Sequence, residues 1–341
     1  GALSEGGNTA MKAMLCRVYG PPEQLEVAEI PLPAPAAGEI MLGVKACAVN
    51  FPDTLVIQGK YQFQPPLPFA PGTDVAGVVL AVGAGVEGFA VGDRALALVP
   101  AGGYAEAVAC DARTALRIPD SVDFVSAAAF QMTYDTAYHA LVDRAHLAAG
   151  ETLLVLGAAG GVGMAALELG KLLGARVIAA ASSAEKLEVC RAHGADEGID
   201  YSGGDLRASL KAVAPGGVDV VYDPVGGALS EQALRSLRWG GRHLVIGFAA
   251  GDIPRIPLNL PLLKGCSIVG VFYGGFIANE PAHNLENKRR LLEWLAEGKI
   301  HPFVSQTYPL ERAADALNDL LARRAAGKLV LVMGEEHSTQ A

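Results

Sequence analysis

A glycine-rich turn near the middle of the chain has the residue types that bind a pyrophosphate. The apolar run 152–156 leads into Gly157-Ala158-Ala159-Gly160-Gly161-Val162-Gly163, and a helical pattern follows as far as Leu173. The spacing is that of G-x-G-x-x-G, with Ala158, Gly160 and Gly163 at the three glycine positions. Between a buried strand and a helix, such a turn lets backbone N–H groups approach a pyrophosphate. We therefore predict a dinucleotide site, and the alternative is a turn that serves packing alone. The predicted binding residues are Ala159, Gly160, Gly161, Val162 and Gly163.

The residues after the next apolar strand indicate which dinucleotide is bound. A site for NADH usually places a carboxylate about 20 residues beyond the turn, where it holds the ribose diol. This chain has Ser182 and Ser183 there, with Lys186 one helical turn later. Two hydroxyls and a cation are suited to a 2′-phosphate, so we predict NADPH as the cofactor. The alternative is that Ser182 caps a helix and that Lys186 is solvated.

Composition excludes several classes of protein. The 341 residues are 51% hydrophobic and 18% charged, which is typical of about two globular domains and not of a disordered chain. A net charge of −9 disfavours nucleic acid and anionic membranes as partners. No uncharged apolar stretch reaches the roughly 20 residues of a membrane-spanning helix. Five widely spaced cysteines without a C-x-x-C pair favour reduced thiols and a cytoplasmic location.

The order of apolar runs predicts an α/β protein. Short strands separated by Pro and Gly clusters fill the first third, whereas fully apolar strands alternate with helices in the middle third. Such alternation is typical of a doubly wound parallel sheet covered on both faces. The last third has a strand at 266–273 and a closing strand at 328–333 with two helices between them, and we expect it to rejoin the first domain. Residues 1–10 are interpreted as a tag or disordered tail.

Several motifs along residues 11–334 together carry a family resemblance. They are Ala48-Val49-Asn50-Phe51-Pro52-Asp53, Pro71-Gly72-Thr73-Asp74-Val75-Ala76-Gly77, Val91-Gly92-Asp93-Arg94, Gly102-Gly103-Tyr104-Ala105-Glu106, Ala159-Gly160-Gly161-Val162-Gly163 and Gly240-Gly241-Arg242. The chain resembles the zinc-free medium-chain dehydrogenase/reductase superfamily, and within it the quinone oxidoreductase (zeta-crystallin-like) family.

The resemblance implies a division of the chain into two domains. A GroES-like β-rich catalytic domain is expected at 11–128 and a Rossmann domain at 129–264. Segment 265–341 is expected to add the edge strand of the Rossmann sheet and then to return to the catalytic domain. The resemblance also implies a cofactor in the cleft between the domains, and a homodimer paired through the edge strand at 267–273.

The chain departs from zinc-dependent alcohol dehydrogenases at their metal ligands. Asn50 stands where those enzymes have a cysteine ligand, and Thr73-Asp74 aligns with their His-Glu pair. Catalytic zinc needs three deprotonated N, S or O ligands, so we predict no metal site. Without a metal ion to lower the pKa of an alcohol, the expected chemistry is hydride delivery to a conjugated acceptor whose oxygen gathers charge.

Two residues are predicted to act on that acceptor. The Asn50 amide can donate to an acceptor oxygen or to the cofactor, although an Asn in a turn or cap is the alternative. Tyr61 matches a tyrosine that is a proposed proton donor in related reductases, and the alternative is an aromatic lid over a loop. Asp53 is expected to order its loop, Lys328 to be solvated, and Trp239 to lie in the core at a helix end.

Further cofactor contacts follow from the resemblance alone. Tyr201 matches a family tyrosine near the adenine or its 2′-phosphate, and Thr136 matches a threonine near the nicotinamide amide. Two strand ends that face the cofactor in relatives offer backbone groups. Their residues are Ile246, Gly247, Phe248, Val271, Phe272 and Tyr273.

These observations predict an NADPH-dependent, zinc-independent reductase of quinones or α,β-unsaturated carbonyls. An enoyl-thioester reductase is the first alternative, and Lys60 is nearly the only cation near the expected cleft for the phosphates of coenzyme A. A non-catalytic NADPH-binding relative, like a crystallin or a binding protein, is the second alternative.

Overall fold

The computed structural model describes residues 9–334, and the chain divides into two compact units. Among these residues, unit 1 comprises 9–132 and 301–334, and unit 2 comprises Thr133–Ile300. We expected the first boundary at 128/129 and a return to the first domain after the edge strand. The structure keeps two further helices in unit 2 before the chain returns. The predicted tail 1–10 needs correction at its end, because Ala10 already pairs with Pro31 in a strand, and residues 1–8 lie outside the described residues.

Residues 9–334 form fifteen strands and ten α-helices. The strands are Ala10–Leu15 (β1), Glu26–Pro31 (β2), Glu39–Val49 (β3), Asp74–Val82 (β4), Arg94–Leu98 (β5), Ala107–Asp111 (β6), Leu116–Arg117 (β7), Thr152–Val155 (β8), Arg176–Ala181 (β9), Glu197–Asp200 (β10), Val218–Asp223 (β11), Leu237–Val245 (β12), Ser267–Gly270 (β13), Val304–Pro309 (β14) and Lys328–Val332 (β15). The helices are Phe51–Val56 (α1), Phe124–Tyr138 (α2), Gly161–Leu172 (α3), Ala184–Ala192 (α4), Leu206–Val213 (α5), Gly227–Arg235 (α6), Asn259–Lys264 (α7), Tyr273–Asn279 (α8), Pro281–Ala296 (α9) and Ala313–Leu321 (α10).

Unit 1 is built on an antiparallel sheet that draws on both ends of the chain. Among the described residues, its strand order is β14-β15-β3-β4-β5-β7, and β6 also pairs with β3. Within residues 9–334, β14 and β15 are the only neighbours in this sheet that run parallel. The long strand β3 alternates apolar side chains onto one core, where Ile40, Leu42 and Val44 are buried. Because β15 pairs with β3, residues near position 330 lie beside residues near position 48.

Unit 2 contains a parallel sheet of six strands within residues 133–300. The order is β10-β9-β8-β11-β12-β13, and every pair is parallel. The central strands β8 and β11 are buried almost throughout, as expected of a parallel sheet covered on both faces. The predicted fold class, a GroES-like sheet unit with a doubly wound Rossmann unit, is confirmed.

Two local expectations were wrong. The strand expected from His243 begins six residues earlier, so Trp239 lies in β12 rather than at a helix end, and its side chain is 79% exposed. The strand expected at 266–273 is shorter, and Tyr273 begins helix α8. No helix of residues 9–334 has the length and hydropathy needed to cross a membrane.

Candidate active site

The glycine-rich turn of unit 2 joins strand β8 to helix α3. Gly157 turns the chain with a φ of +58°, a conformation that favours glycine. Gly160 precedes the first turn of α3 as its N-cap residue and is exposed. Gly163 lies against the turn itself, since a Cβ there would be 2.3 Å from the Gly157 carbonyl oxygen. Gly157 therefore allows the chain to turn, and Gly163 allows helix α3 to pack closely against the turn. The exposed residue, Gly160, lies at the start of that helix.

That helix start supplies the groups expected to bind an anion. The first-turn N–H groups of a helix have no carbonyl partner within the helix, and the helix dipole favours negative charge there. In α3 these groups belong to Gly161, Val162 and Gly163. Gly161 and Val162 are half-buried, whereas Ala159 and Gly163 are buried beneath the turn. Of the predicted pyrophosphate-binding residues, Gly160, Gly161 and Val162 are therefore the ones that solvent reaches.

The two serines that follow β9 have different partners. The Ser183 hydroxyl caps helix α4 by accepting from the Lys186 backbone N–H at 3.2 Å. The Ser182 hydroxyl instead accepts from the Lys186 ammonium, also at 3.2 Å. The helix cap is therefore Ser183. The hydroxyl of Ser182 and the ammonium of Lys186 are not part of the cap, and they could bind a phosphate. Ser182 is exposed and Lys186 is half-buried, so both can be reached from solvent.

The neighbouring strand β10 brings two more residues to the same end of the sheet. The Tyr201 backbone N–H donates to the Ala181 carbonyl at 3.1 Å, which places Tyr201 beside the end of β9. Asp200 pairs with Ala181 in the parallel register, and sequence reasoning assigned this carboxylate no role. Its Oδ1 accepts from the backbone N–H and the hydroxyl of Ser202, and these hydrogen bonds lower the Asp200 pKa.

The remaining predicted cofactor residues of unit 2 follow β12 and β13 or lie in α2. Thr136 is buried in α2. The N–H groups of Ile246 and Gly247 donate to the Asp223 carbonyl, and that of Val271 donates to Val245. These three N–H groups are already used within the unit, so the backbone groups that these strand ends can still offer do not include them. Phe248 and Phe272 are exposed, whereas the Tyr273 hydroxyl donates to Asn284 Oδ1 at 2.6 Å.

In unit 1, strand pairing gathers a buried polar cluster around Asn50. We define the buried polar cluster as Asn50, Asp53, Asp74, Tyr104 and Lys328, each at most 5% exposed. Asn50 follows the end of β3 and is the N-cap residue of α1. Lys328 opens β15, and the register that sets Leu329 opposite Val49 brings Lys328 to Asn50.

The Lys328 ammonium is directed into this cluster. It donates to the Asn50 side-chain oxygen Oδ1 and, at 3.2 Å, to the Val49 carbonyl. Burial lowers the Lys328 pKa, while the charges of Asp74 and Asp53 oppose that shift. Lys328 was expected to be solvated, and this expectation was wrong, because its register with β3 leaves the side chain only 5% exposed.

Asp53 and Tyr104 hold the loop that carries Asn50. The Asp53 carboxylate accepts from the Asn50 backbone N–H at 3.0 Å and from the Tyr104 hydroxyl at 2.8 Å. Burial raises the Asp53 pKa to about 6, against the opposing effect of those two hydrogen bonds. Tyr104 itself packs on Gly72, where a Cβ would come within 2.4 Å of the ring. Asp53 therefore orders its loop, as its place in the motif indicated.

The Asn50 amide nitrogen is the open group of the cluster. Nδ2 is buried and has no hydrogen-bond partner within residues 9–334. Buried donors of this kind nearly always have a partner in a native structure, which makes Nδ2 the candidate contact for a ligand. Tyr61 lies in the loop after α1 and is half-buried. Burial, together with the Asp53 charge, raises the Tyr61 pKa, so this phenol stays protonated and can act as a donor at neutral pH.

The residues at the expected zinc position do not fit a zinc ion. Asn50 offers its oxygen to an ammonium rather than to a metal. The Thr73 hydroxyl donates to Asp74 Oδ1 at 2.6 Å, and Asp74 Oδ2 accepts from the Met132 backbone N–H at 3.0 Å. Catalytic zinc needs three deprotonated ligands, and no group of three His, Cys, Asp or Glu among residues 9–334 has a metal-binding arrangement.

Two family models match the chain in succession. The model described as "Alcohol dehydrogenase GroES-like domain" matches residues 36–120, and the one described as "Zinc-binding dehydrogenase" matches residues 161–294. The first match lies in unit 1 and the second in unit 2. This combination is that of an oxidoreductase of the medium-chain dehydrogenase/reductase class.

Individual relatives cover nearly the whole chain. Quinone oxidoreductase-like protein 2 of Rattus norvegicus is 37% identical over 330 residues, which is 96% of this chain and 93% of the relative. The synaptic vesicle membrane protein VAT-1 homolog of Rattus norvegicus is 35% identical over 90% of this chain and 80% of its own. The quinone oxidoreductase of Escherichia coli, solved as a complex with NADPH, matches with a TM-score of 0.87 and 31% identity over 95% of this chain and 99% of its own. The chain belongs to the quinone oxidoreductase family of medium-chain dehydrogenases/reductases.

Proposed function

We propose that this protein is an NADPH-dependent reductase of quinones or α,β-unsaturated carbonyls and that it works without zinc. The observation that carries the proposal is the buried Asn50 Nδ2, which has no hydrogen-bond partner among residues 9–334 and can donate to an oxygen that gathers negative charge. The acceptors that fit such a donor are conjugated carbonyl compounds, because hydride arrives at carbon while the charge collects on oxygen.

The cofactor part of the proposal rests on two features of unit 2. The N–H groups at the start of α3 fit a pyrophosphate, and the Ser182–Lys186 pair fits the 2′-phosphate that distinguishes NADPH from NADH. The Escherichia coli relative was solved with NADPH, which supports the same choice.

The chain's own residues have separate tasks in this reaction. NADPH, when bound, supplies a hydride from its nicotinamide ring. Asn50 donates a hydrogen bond to the acceptor oxygen as charge develops there. Tyr61, protonated at neutral pH, or a water molecule supplies the proton that completes the reduction. Asp53 and Tyr104 hold the Asn50 backbone in place, so that the donor is preorganised before the acceptor arrives.

A panel of acceptors tests the proposal. Oxidation of NADPH and of NADH is followed at 340 nm with 1,2-naphthoquinone, an enone and an enoyl thioester, before and after dialysis against a chelator. We expect turnover with NADPH and a quinone or enone, and no loss after chelation. Turnover restricted to the enoyl thioester would establish the first alternative function. An absence of turnover with every acceptor, despite NADPH binding measured by fluorescence, would establish the non-catalytic alternative.

We also propose that two copies pair through the edge of the parallel sheet. Strand β13 is the last strand of its sheet and pairs on one side with β12. Exposed apolar residues adjoin it in sequence or lie on β12, and exposed apolar surface beside a strand edge is suited to an interaction. They are Trp239, Leu262, Leu263, Ile268 and Phe272. An unpaired strand edge is self-complementary about a two-fold axis, so the partner that fits it is a second copy of the chain.

Light scattering after size-exclusion chromatography tests the pairing. The expected mass is that of two chains of 35.2 kDa each. The double variant Trp239→Arg/Ile268→Arg should run as a monomer, because buried unpaired charge would oppose the contact. Val91→Arg, at an exposed apolar residue of unit 1, is the matched control and should stay dimeric. A monomeric wild type would overturn this part of the proposal.

A cytoplasmic location completes the proposal. All five cysteines are free, and four of them are buried. Burial raises the pKa of the Cys47 thiol well above its usual value and that of Cys110 to about 12, so these thiols are unreactive at neutral pH. Free structural thiols are typical of reducing compartments.

A further inference from the structure

Lys328 is connected to the proposed reaction through its contact with Asn50. Its ammonium contacts the Asn50 oxygen and the Val49 carbonyl, and it is buried where β15 meets β3. Lysine is seldom buried without a paired charge, and here two buried carboxylates, Asp53 and Asp74, provide the compensating charge. A buried ammonium at this place needs a role beyond solubility or surface charge.

The chemistry of an ammonium fixes the orientation of the amide that it contacts. A lysine ammonium has three donors and no acceptor, so it can contact the oxygen of a carboxamide but not the nitrogen. With Oδ1 held by Lys328, the two hydrogens of Nδ2 must point away from the lysine. Nδ2 is also the atom that has no partner within residues 9–334. The contact with Lys328 therefore disfavours rotation by 180° about the last side-chain bond, which would present an oxygen in place of the donor.

We propose that Lys328 is a positioning residue that holds the Asn50 carboxamide with its N–H donor toward the ligand. The proposal rests on the reductase function argued above and adds the residue that decides what Asn50 can recognise. The atom that Nδ2 contacts must be a hydrogen-bond acceptor, namely an oxygen of the conjugated carbonyl substrate or of the cofactor's nicotinamide half. A ligand with a donor at that place would be rejected.

Two substitutions at position 328 separate positioning from packing. Lys328→Met keeps the aliphatic stem but has no donor, whereas Lys328→Gln keeps an N–H donor on a slightly shorter side chain. We expect Lys328→Met to lower kcat/KM about tenfold and Lys328→Gln to recover most of that loss. Without the Lys328 contact the Asn50 donor is no longer held in place, and a misplaced donor weakens stabilisation of the transition state. Equal losses in the two variants would mean that the residue serves packing or charge alone.

A double-mutant cycle asks whether Lys328 acts through Asn50. In an Asn50→Ala background the amide is absent, so Lys328→Met should cause no further loss of activity. Losses that multiply in the double variant would overturn the proposal.

The variant Asn50→Asp tests the proposal if substitutions at position 328 prevent folding. It keeps the shape and gains an ion pair with Lys328, so it should fold, yet it should lower kcat about 100-fold because no donor remains. Full activity of Asn50→Asp would also overturn the proposal.

The same variants identify the oxygen that Nδ2 contacts. A fall in kcat with an unchanged dissociation constant for NADPH assigns the contact to the acceptor carbonyl. A weakened NADPH complex with an unchanged KM for the quinone assigns it to the cofactor. Either result supports an oriented donor.

A spectroscopic readout separates this inference from the proposed function. In protein labelled with ¹⁵N-asparagine, the side-chain NH₂ signals of Asn50 are assigned by their loss in Asn50→Ala. Lys328→Met should shift or broaden these signals, and Lys328→Gln should leave them near their wild-type positions. Unchanged signals in Lys328→Met would refute the positioning role even if the enzyme turns over. If no acceptor is reduced by the wild type, the reductase function fails while this measurement still reports on the amide.

Discussion

The nucleotide turn of unit 2 and the buried polar cluster of unit 1 are assembled in opposite ways. The turn comes from seven consecutive residues, Gly157 to Gly163, and it acts through backbone groups at a helix start. The cluster comes from positions as distant as Asn50 and Lys328, and it acts through side chains that strand pairing brings together. The turn is open to solvent at Gly160, whereas each member of the cluster is nearly inaccessible.

The difference shows where tolerance to substitution is to be found. A site made of backbone groups depends on which residues lack a side chain, so a single added Cβ can prevent the turn from forming or from binding its ligand. A side-chain cluster depends on mutual compensation of charge and hydrogen bonds, so its members respond to pH and to each other. Substitutions in the turn should therefore act through steric clashes, whereas substitutions in the cluster should change how stability or activity depends on pH and on the other members.

The largest effect is expected from the two glycines of the turn. In Gly163→Ala the new Cβ would lie 2.3 Å from the Gly157 oxygen and 2.7 Å from the Ala158 Cα, so backbone must move. We expect a loss of about 3 kcal/mol in the free energy of unfolding, together with loss of NADPH binding. The measurements are urea denaturation and a fluorescence titration with NADPH.

Gly160→Ala is the matched control for that substitution. Its Cβ would lie 3.4 Å from the Gly157 oxygen, an ordinary contact, so stability should change by less than about 1 kcal/mol. NADPH should still bind more weakly, because the methyl group stands where the pyrophosphate approaches the backbone. Equal stability of the two variants would contradict the packing role of Gly163.

The second effect tests the cluster through the pH dependence of stability. Burial raises the Asp53 pKa to about 6 from an ordinary value of 3.8, so the folded protein keeps this proton at a pH where the unfolded chain has lost it. The resulting contribution to stability is full below pH 4 and is lost as the pH rises through 6. Asp53→Asn keeps an acceptor for the Asn50 N–H and the Tyr104 hydroxyl but does not titrate.

Comparing the wild type with Asp53→Asn isolates the titration of this one carboxyl group. From pH 4.5 to 7.5 the wild type should lose about 2 kcal/mol of unfolding free energy relative to Asp53→Asn, by urea denaturation at each pH. Tyr61→Phe is a suitable comparison, because that phenol stays protonated throughout the range. A difference that does not change with pH would mean that Asp53 is already ionised in the folded state at pH 4.5.

The contrast between the two sites also explains how much the sequence could predict. The turn was predicted because its glycines are contiguous and lie between a strand and a helix, which needs only local pattern. Lys328 begins a strand after a glycine, and locally that position looks like an exposed strand end. Only the long-range register of Leu329 with Val49 reveals its contact with Asn50, and no local spacing encodes that register.

Exposure was also hard to predict for single aromatic residues. Trp239 was expected in the core because large apolar side chains are usually buried. The register of β12 places it at the surface instead, where its ring covers Gly265.

The carboxylate of Asp200 was missed for a similar reason, because its position beside Ala181 depends on the pairing of β10 with β9. Motif and fold class were thus within reach of the sequence, whereas partners across strands were not.

The third prediction returns to the cofactor phosphate. Lys186→Ala removes the cation beside Ser182, and charge-assisted hydrogen bonds to a phosphate are among the stronger ones. We expect the dissociation constant for NADPH to rise about 20-fold while that for NADH stays unchanged. Lys211→Ala, at an exposed lysine of helix α5, is the control and should alter neither constant. A similar loss for both cofactors would refute the assignment of Lys186 to the 2′-phosphate.

The smallest effect separates the two adjacent serines. Ser183→Ala removes the cap of helix α4 and should lower the free energy of unfolding by about 1 kcal/mol, with little change in the preference for NADPH over NADH. Ser182→Ala should do the reverse, because its hydroxyl contacts the Lys186 ammonium and caps nothing. Urea denaturation and cofactor titration of both variants provide the comparison. If Ser182→Ala proved the less stable protein, it would be wrong to assign the helix cap to Ser183 and phosphate binding to Ser182.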